Sequence, residues 1–199
     1  MTELIAATVL LILVTDPFGN VPLAVAALRN VARERRARVV LRECLIAYAL
    51  LLAFLFGGRS FLALMQLSEA SLSIAGGVIL FLIALRMVFS HPEGVFGESA
   101  GGEPFIVPLA IPAIAGPSAL ATVMLLASRN PGSLATLVAA LSIAMVVMLV
   151  VLLASDRVQR VIGERGVVAM ERLMGLVLTA LAVEMLLSGL RTFVAQLPR

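Results

Sequence analysis

The apolar run from Leu4 to Leu28 is the feature that most constrains the fold of this chain. It has the length of a membrane-spanning helix, about 20 residues, but helix-breaking and polar residues stand at its centre. Their order is Thr15-Asp16-Pro17-Phe18-Gly19-Asn20-Val21-Pro22. In a bilayer core a central aspartate costs roughly 2.5–3.5 kcal/mol. Irregular backbone at that depth is tolerated only where protein buries it or where it lines a polar cavity.

The composition places the rest of the chain in the membrane as well. Of 199 residues, 61% are hydrophobic and 14% are charged, whereas a soluble domain has about 25% charged residues. The chain therefore has too little polar surface to cover itself in water. We expect an all-α, polytopic membrane protein, in which residues 1–199 form a single membrane domain surrounded by the lipid bilayer.

Six apolar segments are long enough to cross a bilayer, allowing for tilt. The first and the fourth are interrupted by prolines and glycines. The six segments are Leu4–Leu28, Val39–Phe56, Leu72–Val88, Phe105–Ala127, Leu134–Ala154 and Val167–Phe193.

Arginine side chains indicate the orientation. All 15 basic residues are Arg, and six of them lie between Arg29 and Arg42. With six spans, the first, third and fifth connections carry eleven Arg and the opposite side carries four. The positive-inside rule then places both termini outside the cytoplasm. The same rule explains the cluster as a cytoplasmic loop, which can also contact anionic lipids, so we expect no nucleic-acid partner.

The two halves of the chain resemble each other. At an offset of 100 residues Asp16-Pro17 falls on Gly116-Pro117, and at an offset of 98 further positions correspond. Because three spans per copy is an odd number, the second copy must enter the membrane from the opposite side. We therefore predict two inverted three-helix repeats, residues 1–98 and 99–199, whose broken first and fourth helices meet near the midplane. The further pairs are Gly77 and Gly175, Ala84 and Ala182, Arg86 and Glu184, and Met87 and Met185.

Each break is predicted to start a new helix inside the membrane. A half-helix over Leu4–Thr15 would be followed by a second from about Asn20, and another would start near Pro117. Half-helix N-termini offer N–H groups to a carboxylate, and the ends of the preceding half-helices offer carbonyls to a cation or an ammonium group. The predicted substrate-binding residues are Asp16, Pro17, Gly19, Asn20, Gly116, Pro117, Ser118 and Thr122.

Proline-kinked helices are the competing interpretation, since neighbouring helices can repair the lost hydrogen bonds. We prefer it for Pro108 and Pro112. For Ser118 and Thr122, simple helix packing is an equal alternative. For the first break we prefer a functional role, because a kink needs no central carboxylate such as Asp16.

Two further charges, Arg86 and Glu184, lie inside apolar segments. On a helical wheel each lies about 180° from the glycine of its own helix, Gly77 or Gly175. We expect the glycine faces to pack against other helices and the two charges to point away from them. Arg86 is predicted to extend toward the interface. Glu184 is either an ion-coupling group or an oligomer contact.

Two motifs are similar to those of the MarC/SnatA family of integral membrane proteins. One is Asp16 to Pro22, and the other is Pro108-Leu109-Ala110-Ile111-Pro112-Ala113-Ile114-Ala115-Gly116-Pro117-Ser118-Ala119. The number of segments and the total length extend the resemblance over essentially the whole chain. The resemblance implies a multi-pass inner-membrane protein associated with amino-acid transport, because some members are described as neutral amino-acid transporters.

The preferred hypothesis is a secondary transporter of a small neutral amino acid or similar zwitterion. Asp16 would bind the ammonium group or carry a coupling proton or sodium ion, and Glu184 is the second ion-coupling candidate. The alternatives are a non-transporting scaffold or regulatory protein, and an exporter of other small solutes. An enzyme is not expected, because no Ser–His or HExxH pattern occurs and no second carboxylate is predicted at the depth of Asp16. No cofactor or metal site is expected, and a homo-oligomer is compatible with the sequence.

Overall fold

The structure is a computed structural model that describes residues 2–29, 31–89, 104–129 and 131–195. The described residues form helices joined by turns and short irregular links, with an isolated bridge between Phe105 and Val107. The third connection and Arg199, on which part of the orientation prediction rests, lie outside the described residues. The helices are α1 (Thr2–Thr15), α2 (Asn20–Ala27), α3 (Arg33–Leu64), α4 (Glu69–Val88), α5 (Pro117–Arg129) and α6 (Leu134–Ala195).

Four stretches of helix in the described residues are long and apolar enough to span a membrane, and the bent pair α1–α2 makes up to five. The four are Arg33–Gly58, Ala70–Val88, Leu134–Ser155 and Gly175–Ala195. The outward faces are those of a protein in lipid, because large apolar side chains such as Leu13 and Val150 are 69% and 61% exposed. The polytopic, all-α prediction is confirmed, whereas the count of six spans remains a prediction.

The fourth predicted segment differs most from expectation. Only Pro117–Ala127 of Phe105–Ala127 is a regular apolar helix, and it is shorter than a span. The preceding residues form a π-type turn, Leu109–Ile114, in which Ile111 is extended at φ −133° and ψ 130°. Pro108 and Pro112 therefore lie in an irregular segment, and the prediction of simple proline kinks there is wrong. Proline lacks the N–H that a continuous helix needs, and two of them four residues apart leave no room for α-helical bonding.

This irregular segment is held by its own bonds and by the core around it. The Ala113 N–H donates to the Pro108 carbonyl at 3.2 Å, and the Ala115 N–H donates to the Ala110 carbonyl at 2.9 Å. Leu109 and Ile114 are completely buried. Buried, internally bonded backbone of this kind is the form in which non-helical chain is tolerated at membrane depth.

The fifth and sixth predicted segments lie in one helix, α6, whose backbone is helical across the arginine-containing connection between them. That connection contains no proline, and its arginine, glutamine and glutamate residues are good helix formers. The first portion of α6 packs on α3, where the Tyr48 hydroxyl and the Ser142 hydroxyl are 2.7 Å apart.

The last portion of α6 packs closely on α4 through glycines. A Cβ atom built on Gly77 would lie 3.1 Å from the Ala182 carbonyl oxygen, and one built on Gly175 would lie 3.0 Å from the Ala84 carbonyl oxygen. The prediction that the glycine faces pack against helices is confirmed. In the repeat, Gly77 corresponds to Gly175 and Ala84 corresponds to Ala182. The contact of Gly77 with Ala182 is therefore equivalent to the contact of Gly175 with Ala84, as a two-fold axis between equivalent helices would require.

Candidate functional site

The first break lies between α1 and α2, which meet at an angle of 49°. Asp16 adopts a left-handed backbone conformation, with φ 44°. Aspartate is among the residues that tolerate this region, and Pro17 disfavours the α-helical conformation at the residue before it. The Asp16 Oδ1 atom accepts a hydrogen bond from the Gly19 N–H at 3.0 Å. The predicted half-helices, ending at Thr15 and resuming at Asn20, are thus confirmed.

Gly19 is required by this arrangement of the carboxylate. A Cβ atom at position 19 would overlap the Asp16 Oδ2 atom and lie 2.7 Å from its Cγ atom. Any other residue would therefore displace the carboxylate from its bond to the N–H group. Asp16 itself is exposed, so one face of its carboxylate remains open while the other is fixed.

Asn20 connects the two breaks. Its side-chain Nδ2 donates to the carbonyl oxygens of Thr15 at 2.9 Å and Asp16 at 3.0 Å, and lies 3.4 Å from that of Ala113 in the second break. The side chain is buried, with the residue 8% exposed. Two of the carbonyls at the end of α1 are thus satisfied by an amide of the same protein. Asn20 is a structural link, in addition to lining the space described below.

The second break ends at Gly116, and α5 begins at Pro117 as predicted. A Cβ atom on Gly116 would lie 2.6 Å from the Pro112 carbonyl oxygen, so the turn needs glycine. Proline suits the first position of a helix because the N–H that it lacks would have no partner there. Ser118 follows it on the exposed side of the helix.

A cavity of about 580 Å³ lies where the two breaks meet. Its volume is within the range of roughly 300–1,000 Å³ that small-molecule sites occupy. α4 and the last portion of α6 complete the walls. The predicted site residues that line it are Asp16, Gly19, Asn20, Gly116, Pro117, Ser118 and Glu184.

Two predicted site residues do not line the cavity. Pro17 is buried behind the first break. The Thr122 hydroxyl donates to the Ser118 carbonyl at 2.7 Å, one turn earlier in α5. Thr122 therefore bonds within its own helix, and the alternative of simple helix packing fits it better than contact with a ligand.

The cavity is acidic. Asp16 and Glu184 both line it, and none of the described lining residues is Lys, Arg or His. The two ion-coupling candidates, Asp16 and Glu184, therefore line the same cavity. Glu184 is exposed and lies opposite the glycine face of α6, as the helical wheel predicts. Among the described residues no group of His, Cys, Asp and Glu could hold a metal ion.

Hydroxyl groups form the remaining polar lining, and sequence reasoning missed them. They belong to Thr15, Ser73, Ser188 and Thr192. The Ser73 hydroxyl donates to the Met185 carbonyl at 2.9 Å, and the Thr192 hydroxyl donates to the Ser188 carbonyl at 3.0 Å. Glu184, Ser188 and Thr192 recur every four residues, which puts them on one face of a helix. This four-residue spacing is the feature of the sequence that could have predicted Ser188 and Thr192 as lining residues.

Comparison with known proteins assigns the chain to a family. A family model described as MarC family integral membrane protein matches residues 1–194. The chain belongs to the MarC family. The resemblance of its two motifs to MarC proteins is thereby confirmed over the whole length.

Relatives within the MarC family are similar along almost all of their own length. The UPF0056 inner membrane protein YhgN of Escherichia coli (strain K12) is 48% identical over 192 residues, covering 96% of this chain and 98% of the relative. A UPF0056 membrane protein of Buchnera aphidicola subsp. Schizaphis graminum is 45% identical over 193 residues, covering 97% and 98%. No solved structure matches. These names describe membrane proteins, and in the first case an inner membrane protein.

Proposed function

We propose that this MarC-family protein is a secondary transporter of a small neutral amino acid or a similar small zwitterion. The observation that carries the proposal is the cavity at which both helix breaks meet. A protein that only needed to cross the membrane would have no reason to place two carboxylates and two interrupted helices around one space, because each is costly in lipid.

The lining offers complements to both ends of a zwitterion. The start of α5 at Pro117 and Ser118 faces the cavity, and the N-terminus of a helix presents N–H groups and a positive dipole end to a carboxylate. Asp16, whose carboxylate is fixed on one side by Gly19, offers its open side to an ammonium group. With two carboxylates and no described cationic side chain, the lining also suits a coupling proton or sodium ion at Asp16 or Glu184.

Transport would use the pseudo-symmetry of the chain. We infer six membrane segments in two inverted repeats, residues 1–98 and 99–199, with both termini outside the cytoplasm. This arrangement requires the chain to reverse direction within α6, between the candidate spans Leu134–Ser155 and Gly175–Ala195. The exchange of contacts between Gly77–Ala182 and Gly175–Ala84 supports this arrangement. Rocking of one repeat against the other around a fixed site is the usual route to alternating access in such folds.

A ligand screen in detergent tests the proposal. A compound that binds the folded protein stabilises it by mass action, by about 2.7 kcal/mol at 100 times its Kd. We expect one or a few small neutral amino acids among the twenty to raise the melting temperature. If none does, in the presence of sodium or at any pH tested, a scaffold or regulatory protein, or an exporter of other solutes, becomes the better description.

Asp16→Asn then tests the site. This variant removes the charge, while its side-chain oxygen can still accept the bond from the Gly19 N–H, so the fold should survive. We expect uptake into proteoliposomes, or efflux from them, to be lost. Arg86→Gln is the matched control, because Arg86 is exposed and does not line the cavity. Undiminished transport by Asp16→Asn would exclude the role given to Asp16.

A further inference from the structure

Two leucines of the cavity wall have no role in the site as described so far. Leu80 of α4 and Leu178 of α6 both line the cavity, and each is only 7% exposed. They are also equivalent positions of the repeat, because Leu80 falls on Leu178 at the offset of 98 residues. Each half of the chain therefore contributes the same apolar residue to the cavity, and we call the two the leucine pair.

The leucine pair lies at the level of the two-fold axis that relates α4 to the last portion of α6. The contacts of Gly77 and Gly175 with the facing helix place this axis between each glycine and the alanine seven residues later. That interval contains Leu80 on α4 and Leu178 on α6, three residues after the glycine in each case. A two-fold axis carries each leucine onto the other. If the repeats exchange conformations during transport, the pair therefore stays at the site in both access states.

The start of α5 gives the distance from the leucine pair to the proposed carboxylate site. A Cβ atom built on Gly76 would lie 2.6 Å from the Pro117 Cγ atom, so α5 begins at the level of Gly76. Leu80 is four residues further along α4, which is about 6 Å at 1.5 Å per residue. A substrate whose carboxylate is held at the start of α5 would thus have the leucine pair about one helical turn away.

The lining that α6 contributes changes from apolar to polar along the helix. Three apolar residues come first and the polar residues follow: Val177, Leu178 and Leu181, then Glu184, Ser188 and Thr192. On α4 the order is reversed, with Ser73 before Leu80, as antiparallel packing requires. The cavity therefore has an apolar end at the leucine pair. An apolar group gains free energy there in proportion to the area that it removes from water.

We propose that the leucine pair is a side-chain subsite that selects amino acids with a branched aliphatic side chain, such as valine and leucine, over glycine. This inference rests on the proposed function, since it requires an amino acid in the cavity, and it adds the class of substrate and the two residues that select it. Because the pair lies at the level of the axis, Leu80 and Leu178 contribute equally to the selection.

Thermal-shift titrations in detergent with glycine, alanine, valine and leucine test the subsite. In the wild type the Kd should fall about fourfold for each methylene that the ligand buries. In Leu80→Ala and in Leu178→Ala the ratio of the Kd for glycine to the Kd for leucine should fall about tenfold, by the same factor in both variants. The ratio compares two ligands of one variant, so a general loss of stability does not affect it.

Leu62→Ala is the matched control, because Leu62 is 6% exposed and does not line the cavity. Its ratio should equal that of the wild type. If an alanine variant does not fold, Leu80→Val and Leu178→Val remove less volume and should lower the ratio about fourfold.

The outcomes separate the subsite from the transport proposal. A ratio that is unchanged in both leucine variants, or a wild type that binds glycine more tightly than leucine, overturns the subsite and leaves the transport proposal standing. A ratio that changes in only one variant overturns the assignment to a pair of equivalent residues. If none of the twenty amino acids binds, the transport proposal fails and the subsite fails with it.

Discussion

Replacing Gly175 by alanine should destabilise the protein although alanine is the better helix former. In an open helical site the exchange gains about 1 kcal/mol. At Gly175, however, the new Cβ atom would lie 2.8 Å from the Val88 Cγ2 atom, 3.0 Å from the Ala84 carbonyl oxygen and 3.0 Å from the Met87 Cβ atom. The Ala84 carbonyl oxygen belongs to the backbone of α4, and the Met87 Cβ atom is bonded directly to that backbone. Neither atom can rotate away, so the two helices themselves must move apart.

The size of the effect follows from comparison with a glycine that has space. A Cβ atom on Gly57, in α3, would meet nothing within 4 Å, so Gly57→Ala should show only the helical gain. Overpacking of a close contact costs about 1–3 kcal/mol. Gly175→Ala should therefore be less stable than Gly57→Ala by about that amount, which corresponds to a melting temperature lower by about 2–12 °C for a chain of this size.

Thermal unfolding of both variants in the same detergent measures the difference. The reciprocal variant, Gly77→Ala, should behave like Gly175→Ala, and the double variant should lose less than the sum, because helices already separated by one methyl group accommodate the second. Equal melting temperatures for Gly175→Ala and Gly57→Ala would refute the close packing of α4 on α6 and remove the support that it gives to the inverted repeats.

Two further predictions concern the breaks. Gly19→Ala should displace the Asp16 carboxylate, so that about tenfold more ligand is needed for the same thermal shift, as expected for loss of one hydrogen bond to a charged group. Gly132→Ala is the control, because a Cβ atom there meets nothing within 4 Å. An unchanged ligand dependence in Gly19→Ala would show that this position of the carboxylate does not affect binding. Asn20→Ala should cost about 1–3 kcal/mol, because it removes the donor from buried main-chain carbonyls; the same unfolding assay measures it, and a loss below about 0.5 kcal/mol would contradict the linking role.

The breaks were predictable because their causes are local. Asp16, Pro17 and Gly19 restrict the backbone whatever surrounds them, so the end of α1 followed directly from the residues. Pro117 marked the start of α5 for the same reason. Their meeting at one cavity was foreseen only through the repeat, which is a property of the whole chain.

The irregular segment was not predictable in detail. Pro108 and Pro112 show that a regular helix is disfavoured. Whether the segment forms a kinked helix or a π-type turn depends on tertiary packing, here on the burial of Leu109 and Ile114, which the local sequence does not specify. Glu43, a completely buried glutamate of α3, was missed for a different reason. It directly follows Arg42 in a stretch rich in arginine, where a glutamate resembles an exposed loop charge, and only the structure shows that it faces inward.

The three carbonyls around Asn20 differ in how they would respond to motion. Two belong to its own half of the chain, at 2.9 and 3.0 Å, and the third, at 3.4 Å, belongs to the other half. If the halves slide past each other, the longest and weakest contact is stretched first, while the first break keeps its shape. On the transport proposal, such sliding would separate the two half-sites as intact units, and the separation would begin at Ala113.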